Sequence, residues 1–139
     1  MQTQVKTLIS SISAIDARVE KLREIWGSYI RTITSATDFP LSALGNIDTG
    51  QLRIAPAGVR AYGQFKLRDG RGVISYGLVK MVDGEEVLED TVAIAFDDTG
   101  AVVSEPKEFE NITDESCAKY FHLKAVYDLC KRIAGEPGQ

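Results

Sequence analysis

Residues 59–96 read VRAYGQFKLRDGRGVISYGLVKMVDGEEVLEDTVAIAF, and two pairs within them, Asp69-Gly70 and Asp83-Gly84, decide the fold. A two-residue hairpin turn of type I′ needs positive φ at both central positions, and Asp-Gly meets that need at low steric cost. The flanking runs are rich in β-branched and aromatic residues, so the pairs predict three consecutive antiparallel strands at 59–67, 72–82 and 86–96.

Each turn sets a register. Arg68 opposite Arg71 places Phe65 against Ile74, Gly63 against Tyr76 and Ala61 against Leu78 on one face, with the Tyr76 ring over a strand glycine. Val82 opposite Glu85 places Val79 against Leu88, Ser75 against Val92 and Val73 against Ile94, and these lie on the other face. Two outcomes reconcile the registers. Either the central strand is apolar on both sides and takes one helix on each, which is the arrangement expected, or a bulge near Gly77 shifts the pairing by one residue. Short strands at 51–55, stopped by Pro56, and at 101–104, after an Asp97–Gly100 loop, extend the meander to four or five strands within 51–105.

Helices flank the sheet. Val5, Leu8, Ile12, Ile15, Val19, Leu22, Trp26, Tyr29 and Ile33 step alternately by 3 and 4, an unbroken a/d heptad series. The resulting amphipathic helix, within 1–34, is roughly 45 Å long, more than strands of about ten residues can cover. Part of it must meet another helix, either the C-terminal helix of the same chain or a second copy of this one. The C-terminal helix occupies 113–134: Thr113 is the expected N-cap, Asp114 and Glu115 suit the positive helix end, Gly135 ends it, and Pro137 prevents its resumption. Between Ser35 and Gly50, Phe39, Leu41, Leu44 and Ile47 mark a packed connector containing one helical turn. The fold class is α+β in a single domain, 1–139.

The composition is that of an ordinary globular chain: 139 residues, 44% hydrophobic and net charge -4. That small net charge conceals a division. Residues 51–82 carry six cations against Asp69 alone, whereas residues 83–115 carry twelve carboxylates against Lys107 alone. Arg60, Tyr62, Gln64 and Lys66 share one strand face, but a single aromatic beside so many acids does not favour nucleic acid. Glu85, Glu86, Glu89 and Asp90 form an acidic edge suited to a basic partner protein.

No catalytic motif stands out. His122 is the only imidazole, so it has neither ligand partners for a metal nor a spacing that suggests a nucleophile–base pair. Glu89 and Asp90 are adjacent in a strand and point to opposite faces. Arg68-Asp69-Gly70-Arg71-Gly72 joins two strands and opens no helix, so it is not a phosphate cradle. Cys117 and Cys130 lie thirteen residues apart in one helix, beyond disulfide reach, and suit a reducing compartment, with the cytoplasm as the expected location. No stretch is long and apolar enough to cross a membrane.

The element order and acidic balance resemble, in architecture, the small dimeric secretion chaperones, which bind unfolded clients on a sheet; the helix those proteins carry between their third and fourth strands has no counterpart here. The expected function is a non-enzymatic protein-interaction domain, adaptor- or chaperone-like and without cofactor. It self-associates through Val5, Leu8, Ile12, Ile15, Val19, Leu22 and Trp26 and binds a partner protein. The alternative is a binder of small apolar ligands, with a pocket lined by Trp26, Tyr29, Phe65, Tyr76 and Phe96 between the sheet and the long helix.

Overall fold

Both Asp-Gly pairs form the turns their chemistry favours, with φ of 52° and 75° at Asp69 and Gly70 and of 51° and 82° at Asp83 and Gly84. The computed structural model describes residues 1–135, so Pro137 lies outside the described residues. The chain runs α1 (Gln2–Thr34), a 3-10 turn (Leu41–Ala43), β1 (Asn46–Asp48), β2 (Gln51–Ile54), a second 3-10 turn (Pro56–Gly58), β3 (Ala61–Arg68), β4 (Arg71–Val82), β5 (Glu85–Phe96) and α2 (Glu115–Ala134). The five strands form one antiparallel sheet in chain order.

The first hairpin has the expected register, Arg68 opposite Arg71 through Ala61 opposite Leu78, and the Tyr76 ring covers Gly63. The second hairpin corrects the expectation of helices on both faces. Val79 faces Leu88 as expected, but the pairing shifts at Tyr76/Gly77, so that Ser75 meets Ala93 and Val73 meets Ala95. The bulge turns Val92, Ile94 and Phe96 onto the face that already carries Ile74 and Tyr76, which gathers the large apolar side chains on one side. Both helices pack on that side: Tyr76 meets Tyr29 of α1 and His122 of α2, and the helices also touch each other.

Two strand assignments also change. The fifth strand is β1, paired with β2 across a turn at Thr49 (φ 50°) and Gly50 (φ 80°). Residues 101–104 make only isolated bridges, because the Ala95 amide donates to the Ser104 hydroxyl and the backbone ladder stops there. At α2 the N-cap is Asp114, whose carboxylate accepts from the Ser116 amide at 2.9 Å, and Thr113 instead closes a turn onto Asn111. Gly135 ends the helix in the left-handed conformation (φ 73°).

Candidate functional site

The heptad series divides at Val19. From Leu22 onward the stripe belongs to the core: Leu22, Ile25, Tyr29, Ile30 and Ile33 are buried, and Trp26 stacks on Phe65 with ring centroids 6.0 Å apart. Leu22 and Trp26 therefore leave the expected self-association surface, because the sheet has already taken their side of the helix. Before Val19 none of the described residues buries the apolar face of the helix. Val5, Leu8, Ile9, Ile12 and Ile15 are 47–62% exposed along an arm about 30 Å long. Water faces one continuous aliphatic stripe there, the kind of surface that marks an association site.

The charge division resolves inside the sheet. Glu86 and Asp90 project from the outer face, where Arg60 pairs with Glu86 and Lys66 reaches Asp90 at 2.8 Å, both spanning β4. Lys80 lies 3.8 Å from Glu89 on the helix side. β4 presents Val73, Ser75, Gly77 and Val79 to the outer face, and these side chains are short enough for the bridging cations to cross. Exposed pairs of this kind contribute little stability. They do neutralise three of the four acids expected to meet a basic partner. Beyond β5, the described residues place no strand along Glu85–Thr91, so the backbone edge there is open.

The five rings of the alternative ligand site come together, but against one another. Trp26 touches Tyr29 and Phe65, Phe65 touches Phe96, and the Tyr29 hydroxyl lies 2.5 Å from that of Tyr76. Tyr29, Tyr76 and Phe96 are fully buried. This is how a filled interior packs.

At its centre is a polar chain that the sequence did not reveal. His122 Nε2 lies 2.7 Å from the Ala43 carbonyl, which can only accept, so Nε2 carries the proton. In the neutral ring Nδ1 must then accept, at 2.6 Å, from the Tyr76 hydroxyl. Tyr76 in turn accepts from Tyr29. One carbonyl thus orients three side chains from α1, β4 and α2. Burial holds the imidazole down, to about 4, and raises both phenols well above their usual range. The chain is closed on all sides and reaches no solvent, so it organises the core. Tyr76→Phe removes its middle and leaves both His122 Nδ1 and the Tyr29 hydroxyl unpartnered, whereas Tyr29→Phe removes only a terminal donor. Urea denaturation should show a loss of about 2–4 kcal/mol for the first and about 1 kcal/mol for the second; equal losses would count against the assigned direction.

A cleft of about 560 Å³ lies between the first 3-10 turn and β2, lined among others by Leu41, Leu44, Ile54, Arg53 and Arg60. Its two arginines are engaged, Arg53 with Asp48 at 3.9 Å and Arg60 with Glu86. Among the described residues no cluster of His, Cys, Asp and Glu could hold a metal ion, and no helix is long and apolar enough to cross a membrane. Cys117 and Cys130 are free thiols on α2, and burial pushes Cys117 up. Compared with protein-family models, curated proteins and solved structures, the chain finds no match.

Proposed function

We propose that this protein is a non-enzymatic protein-interaction domain that self-associates through the part of α1 that precedes Val19. The observation that carries this reading is the exposed stripe of Val5, Leu8, Ile9, Ile12 and Ile15, on a helix whose second half is anchored in the core. An isolated helix of this length is marginal in water. Continuity with the anchored half holds the arm helical, and burial against another helix would supply the cover that the described residues do not. Ile12→Asp tests this reading directly. Because Ile12 touches nothing in the core, the variant should melt within about 0.5 kcal/mol of the parent. It should also sediment as a monomer at concentrations where the parent associates. Association that survives the substitution would move the surface elsewhere.

The partner half of the proposal rests on the open edge of β5. A basic extended segment could add there as a further strand, with its amides and carbonyls meeting those of Glu85–Thr91 and its charges meeting Glu85 and the partly neutralised Glu86, Glu89 and Asp90. A peptide of about eight alternating Lys and Val residues is the probe. Amide shifts confined to residues 85–91 are the expected result. Shifts spread over the molecule, or none at millimolar peptide, would count against this edge.

A further inference from the structure

We propose that the arm's occupant is the arm of a second copy, running antiparallel, with Val5 packed against Ile15 of the other copy and Leu8 against Ile12. This rests on the self-association reading and adds its partner, direction and register.

Direction follows from where the stripe leads. In residues 22–33 the same face of α1 is filled by the chain's own sheet and α2. In a parallel pair the seam between the two helices would continue into this region, and each copy's domain would have to occupy the space between them. An antiparallel pair carries the two domains to opposite ends, clear of the seam.

The charges agree with this direction. In a parallel pair the flanking heptad positions would set Arg18 beside Arg23 of the other copy, with no opposite-charge pair elsewhere along the arm to offset it. In the antiparallel pair Ile9 meets Ile9 of the other copy, Ser11 meets Ser11, and Arg18 meets Gln4. No like charges face each other, and Ile9, which a parallel seam would leave at its margin beside Gln4, becomes buried.

Register is set by what is free. Sliding the pair by one heptad in one direction would need Leu22, which is 1% exposed and belongs to the core. Sliding it the other way would leave Ile12 and Ile15 uncovered. The register chosen is the longest that uses only exposed residues. It also runs the first turn of the partner arm toward a cleft of about 300 Å³ midway along α1, where the arm joins the core, lined by Ile15, Val19, Leu22, Leu67 and Gly70 among others. The two stripes together bury on the order of 1,000 Å², the low end for a specific pair, so association should depend on concentration.

The test uses the full chain carrying Val5→Cys or Ile15→Cys, oxidised singly and as a mixture, with crosslinked peptides identified by mass so that bonds to Cys117 or Cys130 are set apart. In the antiparallel pair residue 5 lies within disulfide reach of residue 15 of the other copy and is offset by about 15 Å along the helix axis from its own counterpart. The expected result is a 5-to-15 crosslink from the mixture at least about tenfold more abundant than either self-crosslink. Dominant self-crosslinks would overturn the direction and leave self-association standing. Absent crosslinks with a dimer in sedimentation would overturn the arm as the seam, and absent crosslinks with a monomer would overturn both readings.

Discussion

Gly77→Ala should cost at least about 3 kcal/mol or abolish folding. A Cβ at residue 77 would stand 2.1 Å from the Glu89 carbonyl oxygen and 2.6 Å from its carbon, both backbone atoms of β5 that cannot step aside without opening the ladder. The bulge places them there, with the Thr91 hydroxyl donating to the Tyr76 carbonyl at 3.2 Å beside it. The cost therefore exceeds a local clash. The shift at residue 77 turns Val92, Ile94 and Phe96 toward the helices, and a chain that relieved the contact by losing the bulge would turn them to water. Gly70→Ala is the control: it changes the same atom at a residue with φ 75° and nothing within 4 Å, and should cost about 1–2 kcal/mol, the left-handed penalty alone. Urea denaturation of both variants checks the contrast. A Gly77→Ala protein within 1 kcal/mol of the parent would show that β5 does not approach β4 as described.

Stability should fall by about 3 kcal/mol as the pH drops from 6.5 to about 4, because His122 is buried neutral. In the unfolded chain the imidazole binds a proton near 6.5, while in the folded chain burial beside Phe39 and Tyr76 holds it neutral to about 4, outweighing the hydrogen bond to the Ala43 carbonyl, which by itself favours the charged ring. Between these limits the unfolded state holds more protons, so acid draws the equilibrium toward it; above 6.5 the contribution is fully present. The chain has one histidine, so one imidazole resonance reports the event. It should stay neutral until the fold opens, and the denaturation midpoint should decline across the same window. A resonance titrating near 6.5 in the folded protein would contradict the buried chain of Tyr29, Tyr76 and His122.

What the sequence made legible is what neighbouring residues decide among themselves. The type I′ turns, the pairing from Arg68–Arg71 to Ala61–Leu78, the cover of Gly63 by Tyr76 and the left-handed stop at Gly135 all follow from chemistry within a few positions or across one turn. β1 stayed hidden because three residues and a Thr49-Gly50 turn give little pattern. The bulge was visible as a conflict between two registers, but its resolution depends on where two distant helices pack. The same is true of His122, whose partners lie 46 and 79 residues away. In α1 the heptad series runs unbroken across the line between arm and core. Ile25 and Ile30 widen the stripe where the sheet receives it, but Ile9 widens it on the arm as well, so no neighbouring residue marks that line.

That line carries the account. Sedimentation equilibrium of the unaltered chain, from micromolar to millimolar concentration, tests it most directly. A reversible monomer–dimer equilibrium is predicted, abolished by Ile12→Asp with the fold intact. A chain that stays monomeric throughout, with its aliphatic arm in water, would contradict the claim that the first half of α1 exists to meet another copy.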